Sequence, residues 1–200
     1  MQDISAFVQL GFSHITDLDA MDHLLFLLAL AAIYRPRDWR GALWVISAFT
    51  VGHSVTLALA VSGAIALSTR LIEFLIPVTI VATCIENIVV AGRERTPRRS
   101  QYRPVLAGVF GLVHGAGFAN YLRDLFADRI ALPLFGFNLG IELGQVVVLA
   151  IAAVVLTVAD RIIEFARRAR GESSLRLRVV AVSSVILMVA AGWAVERNPW

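Results

Sequence analysis

Apolar runs of membrane-crossing length alternate with short polar stretches along this chain. Six windows have that character: residues 13–34, 43–67, 71–92, 104–122, 131–159 and 178–196. A helix crossing the hydrocarbon of a bilayer needs about 20 apolar residues, each rising about 1.5 Å. The pattern predicts an all-α fold, a polytopic transmembrane helical bundle of about six spans. Residues 4–12 suit a short interfacial helix, and their insertion would raise the count to seven. The linkers leave no room for a soluble unit, so residues 1–200 read as a single integral membrane domain.

Composition strengthens that reading: 58% of the residues are apolar and 16% charged, outside the range of a soluble globular domain. All 18 basic residues are arginine, and most fall on one side of the expected spans. Arg35, Arg37 and Arg40 follow the first window, Arg93 to Arg103 the third and Arg161 to Arg178 the fifth; Arg70, Arg123, Arg129 and Arg197 lie on the other side. The positive-inside rule then places both termini outside and reads the arginine loops as solvated and topogenic. Tyr34, Trp39, Trp44 and Tyr102 on the inner side, with Tyr121 and Trp193 on the outer, fit an interfacial aromatic belt.

The net charge of +3 reflects those loops; no aromatic-interleaved basic groove, phosphate loop or zinc-finger spacing points to nucleic acid. Without an early basic residue, the N-terminus does not read as a cleavable signal peptide. Cys84 stands alone in the third window, which excludes an intramolecular disulfide and a cysteine-rich metal site and leaves it a small buried side chain.

Four histidines interrupt the apolar runs, with carboxylates nearby. Such groups are costly in hydrocarbon and imply a bound cation or a proton route. Counting rise along each window puts Asp22 and His23, His53, His114 and Glu142 near the bilayer midplane. His14 and Asp17 come about two turns further out, where Asp17, Asp19 and Asp22 would concentrate arriving cations. In the fifth window Asn138, Glu142 and Gln145 share one helix face, and Gly136, Gly140 and Gly144 line a roughly opposite one suited to close packing. Gly111 and Gly115 repeat that device beside His114, and Pro77 is placed to kink the third span.

A faint repeat pairs Phe49-x-x-x-His53 with Phe110-x-x-x-His114, each followed by a helix with a carboxylate, Glu86 or Glu142. Duplicated hairpins of that kind would bring two histidines and two glutamates around one centre.

The metal ligands expected are therefore His14, Asp17, Asp22, His23, His53, His114 and Glu142. Asn138, Gln145 and Glu86 are candidates to hydrogen-bond them from behind, although Asn138 and Gln145 also read as interhelical glue. For His53, Thr50 and Ser54 are local partners that would make it merely structural. Imidazole with carboxylate and no thiolate suits a borderline divalent ion: nickel, zinc, cobalt or iron. An intramembrane zinc hydrolase is a second reading, weakened by the absence of a His-Glu-x-x-His string. A third is an accessory protein in which these groups only lock the bundle or recruit a partner.

Five motifs in order resemble one family: Gly11-Phe12-Ser13-His14-Ile15-Thr16-Asp17 with Asp22-His23-Leu24-Leu25-Phe26; Phe49-Thr50-x-x-His53-Ser54-x-Thr56-Leu57; Glu73-Phe74-Leu75-Ile76-Pro77; Phe110-Gly111-Leu112-x-His114-Gly115-x-Gly117-Phe118; and Phe137-Asn138-Leu139-Gly140-Ile141-Glu142-Leu143-Gly144-Gln145. Together they are similar to the HupE/UreJ family of membrane proteins associated with hydrogenase and urease maturation. The resemblance implies transport of nickel, or a related divalent metal, across a bacterial inner membrane for metalloenzyme assembly. Its histidine and acidic positions carry over to His14, Asp17, Asp22, His23, His53, His114 and Glu142, and leave Glu86 unmatched. The partners implied are the metal ion and the lipid bilayer, with a metallochaperone acceptor on the inner side and a homo-oligomer left open.

Overall fold

A backbone surrounded by hydrocarbon must satisfy its own hydrogen bonds, so the apolar windows become helices. The computed structural model describes residues 4–66, 68–91, 102–125, 130–167 and 174–200. Among them the chain forms α1 (Ile4–Thr16), α2 (Met21–Ala31), α3 (Trp39–Val61), α4 (Thr69–Ala91), α5 (Tyr102–Leu125), α6 (Ala131–Arg167) and α7 (Ser174–Glu196). Four of these, α3, α4, α6 and α7, are long and apolar enough to cross a membrane. α5 is as long as α4, but its glycines, Arg103 and His114 dilute its apolar content.

The first window is not one helix. α1 ends at Thr16, whose hydroxyl donates to the Phe12 carbonyl 2.9 Å away, a local bond that competes with helix continuation. A single 3-10 turn over Leu18–Ala20 then leads into α2. Residues 4–12 form the body of α1, which packs along α6. A Cβ on Gly11 would lie 2.0 Å from the Phe137 carbonyl oxygen, and one on Gly140 2.0 Å from that of Val8. Ile4 and Phe7 lie against Gly136 and Ile15 against Gly144, while Ala31 of α2 packs with Ala152 and Leu156. α1 and α2 thus follow α6 in one direction, as two halves of a broken helix.

The same device joins α3 to α5, where a Cβ on Gly52 would meet the Gly108 carbonyl oxygen at 2.0 Å and one on Gly115 the His53 carbonyl oxygen at 2.2 Å. Small residues let helix backbones touch where lipid supplies no hydrophobic drive for association.

Two arginines expected in solvated loops are buried instead. Arg178 on α7 donates to Asp160 at 2.5 Å and to the carbonyls of Ala32 and Tyr34 at 3.0 and 2.8 Å, capping the end of α2. Arg103, at the start of α5, pairs with Glu86 of α4. Tyr34 also leaves the expected aromatic belt, being 7% exposed, whereas Trp39, Trp44 and Tyr102 stay at the surface. Residues 92–101 and 168–173, which hold many of the loop arginines, lie outside the described residues. Cys84 is free and buried in the apolar core, as its setting implied.

Candidate metal centre

The break between α1 and α2 sets the geometry of the site. It puts His14 in the last turn of α1 and Asp22 and His23 in the first turn of α2, with the two imidazoles in edge contact at 4.7 Å between centroids. His14 therefore stands level with His23, not two turns further out as an unbroken helix would require. α3 delivers His53, whose ring lies 6.3 Å from both His14 and His23. α5 delivers His114, 5.2 Å from His23. The glycine contacts of α5 with α3 hold the last two histidines at this depth, since Gly115 rests on the backbone of His53 itself.

Hydrogen bonds orient two of the rings. Asp22 accepts from His23 Nδ1 at 2.9 Å and from the His23 backbone N–H at 2.8 Å, which leaves the buried Nε2 as the ring nitrogen open to a ligand. The Thr79 hydroxyl donates to the Ile76 carbonyl at 2.7 Å, which leaves its oxygen to accept from His114 Nε2 at 3.0 Å. The His114 lone pair is thereby assigned to Nδ1. A ligating histidine is commonly held this way, one nitrogen bonded to protein and the other offered to the ion.

Buried nitrogens without a partner complete the pattern: His14 Nε2, His23 Nε2, His114 Nδ1 and both nitrogens of His53. A buried polar atom left unsatisfied costs about 1–3 kcal/mol. Thr50 and Ser54 do not rescue His53: their hydroxyls donate to the carbonyls of Ile46 and Thr50, and neither nitrogen of the ring bonds them. Four imidazoles bound tetrahedrally at about 2.1 Å would hold their centroids about 5 Å apart. The observed 4.7 to 6.3 Å brackets that spacing. Among the described residues no three His, Cys, Asp or Glu side chains stand ready to hold an ion as they are, so binding requires the rings to close in.

A cavity of about 660 Å³ leads to the cluster and is lined by His14, Asp17, Asp22, Glu73, His23, His114 and Arg197. Asp17 and Asp22 thus line this cavity; the side chain of Asp19 lies outside what the structure describes. Phe118 and Phe137 stack at 5.6 Å, and both lie against His14.

The remaining candidates go elsewhere. Glu142 accepts a 2.5 Å hydrogen bond from Ser47 and does not line the cavity. Gln145 bonds Thr50 at 2.9 Å, tying α6 to α3, while Asn138 keeps a buried oxygen without a partner. Glu86 joins Arg103, and so the two glutamates of the duplicated hairpins do not meet the histidines.

Sequence reading missed Thr79 and Glu73. Thr79 carries no sequence signal, because its role comes from packing of α4 on α5. Glu73 stood only within the Glu73-Phe74-Leu75-Ile76-Pro77 motif; its charge near the start of α4, lining the same cavity as Asp17, is the signal that could have singled it out.

The family model described as HupE / UreJ protein matches residues 1–197. Neither the curated proteins nor the solved structures contain a match.

Proposed function

The chain belongs to the HupE/UreJ family, which is linked to nickel or cobalt uptake and to accessory roles in metalloenzyme maturation, and from this premise we propose that it carries a divalent transition metal across a membrane. Nickel is the substrate we favour, because a nitrogen-rich site suits late first-row ions and the lack of thiolate disfavours copper(I). His14, His23, His53 and His114 are the proposed ligands, with Asp22 orienting His23 and balancing charge. Asp17 and Glu73 attract the hydrated ion to the cavity mouth. Glu142 is left to interhelical bonding.

The observation that carries this reading is the set of buried, partnerless imidazole nitrogens on rings that neighbour one another at 4.7 to 6.3 Å. A bundle that needed histidines only for structure would bond them to neighbouring groups.

The membrane proposed is a bacterial inner membrane, with the cavity facing outward and the arginine-rich end inward, in keeping with the positive-inside rule. A potential of 100 mV would then favour inward passage of a dication by about 4.6 kcal/mol, twice the single-charge figure. A chelating acceptor, such as a metallochaperone, would take the ion on the inner side.

The test is nickel uptake by the full chain in proteoliposomes, beside nickel binding in detergent. A His23→Ala, His114→Ala double variant is expected to lose both while remaining folded. Wild-type uptake by that variant would refute the site.

A further inference from the structure

Beyond the histidines, α4 carries a second polar track towards the arginine-rich end. Thr79, Thr83 and Asn87 recur every four residues and are all buried. Thr79 is bonded to His114, and Thr83 donates to the Thr79 carbonyl at 2.9 Å. Below Thr83 lies a void of about 10 Å³ bounded by Leu30, Thr83, Glu86, Arg103 and Phe110, room for roughly one water.

The track ends in an oxygen-rich corner already holding a cation. Arg103 is 4% exposed; its guanidinium donates to both carboxylate oxygens of Glu86 and, at 2.6 Å, to Asn87 Oδ1. Asn87 is fixed from behind by its Nδ2, which donates to the Ala29 carbonyl at 2.7 Å and to Ser183 at 3.3 Å. Tyr102 donates its hydroxyl to Glu86 as well. The corner is thus braced from α2, α5 and α7, while Nη1 of Arg103 is buried with no partner. The guanidinium also lies over the Tyr34 ring, 5.9 Å from its centroid.

Resting on the transport reading above, we propose that Glu86 and Asn87 Oδ1 form a second, all-oxygen cation subsite, and that the Arg103 guanidinium fills it as a tethered stand-in until the transported dication displaces it. The order of chemistries suits release. A late transition metal prefers the imidazoles, so the carboxylate and amide oxygens hold it more weakly on its way out. A resident guanidinium repels a second cation and closes the path when none is in transit. Phe26, Phe49 and Phe110 add an apolar barrier: rings of Phe26 and Phe49 each lie 5.2 Å from His114, and Phe26 and Phe110 are 6.2 Å apart.

The experiment uses the full chain, nickel ion alone as the probe, and three proteins: wild type, Arg103→Met, and Glu86→Gln with Arg103→Met. The double variant leaves no unpaired charge in the corner, so its folding is secure if the single one fails. Equilibrium dialysis in detergent should show one further, weaker equivalent of nickel on Arg103→Met than on wild type, and its loss in the double variant. In liposomes the double variant should take up nickel about tenfold more slowly than wild type, the scale of losing a group that supports a metal path, with binding at the histidines unchanged. No added equivalent on folded Arg103→Met, or wild-type uptake by the double variant, overturns the subsite. Absence of nickel binding by wild type itself would instead mark failure of the transport reading.

Discussion

At the residue scale, the proposed site depends on which nitrogen of each imidazole is free. Thr79→Val removes the acceptor for His114 Nε2 while keeping side-chain volume, and frees the ring to rotate. Nickel affinity is expected to fall about 10–100-fold, measured by titration calorimetry, with no change in thermal unfolding comparable to loss of a core contact. Asp22→Asn should weaken binding on a similar scale, because the amide can accept from His23 Nδ1 but brings no charge. Glu142→Gln is expected to leave nickel binding within about threefold of wild type, since removing a group outside the site forfeits none of the 10–100-fold that a supporting residue commands. The histidines and Asp22 were legible in the sequence because ionisable residues inside apolar windows are conspicuous. Glu142 was just as conspicuous, yet Ser47 provides it with a hydrogen bond across α3 and α6, a pairing that no spacing within one helix reveals.

At the scale of elements, four of the apolar windows marked α3, α4, α5 and α7 to within several residues, and the fifth marked most of α6. Hydrophobic length is a strong signal in lipid. The first window misled because a continuous apolar run hides a break; only Asp17, Asp19 and Asp22 hinted that the helix stops and restarts there. That break is what brings His14 level with His23. The glycine spacings were readable as packing faces but did not say which helix each would meet. Gly115→Ala should force α5 off the backbone of His53. A loss of about 1–3 kcal/mol, the usual range for overpacking, is expected in thermal or denaturant unfolding, with weaker nickel binding in parallel.

At the scale of the whole molecule, the two glycine-sealed pairs, α1 with α6 and α3 with α5, frame the histidines, while buried arginines lock the opposite end. Arg178 ties α7 to α6 and to the end of α2. Arg178→Met should destabilise the protein by about 3–5 kcal/mol through the unpaired Asp160, and pairing it with Asp160→Asn should recover part of that loss in unfolding measurements. Arginine excess near span ends gave a sidedness rule but concealed that Arg103 and Arg178 fold inward, because charge counting treats every arginine as solvated. Their partners, Glu86 and Asp160, come from other helices.

The central claim is that four imidazoles from α1, α2, α3 and α5 close on one dication. X-ray absorption at the nickel edge, on the full chain loaded with a single equivalent, tests it directly. The account predicts a first shell near 2.1 Å with the outer-shell scattering of several imidazole rings. A shell of oxygens alone, without imidazole scattering, would contradict it.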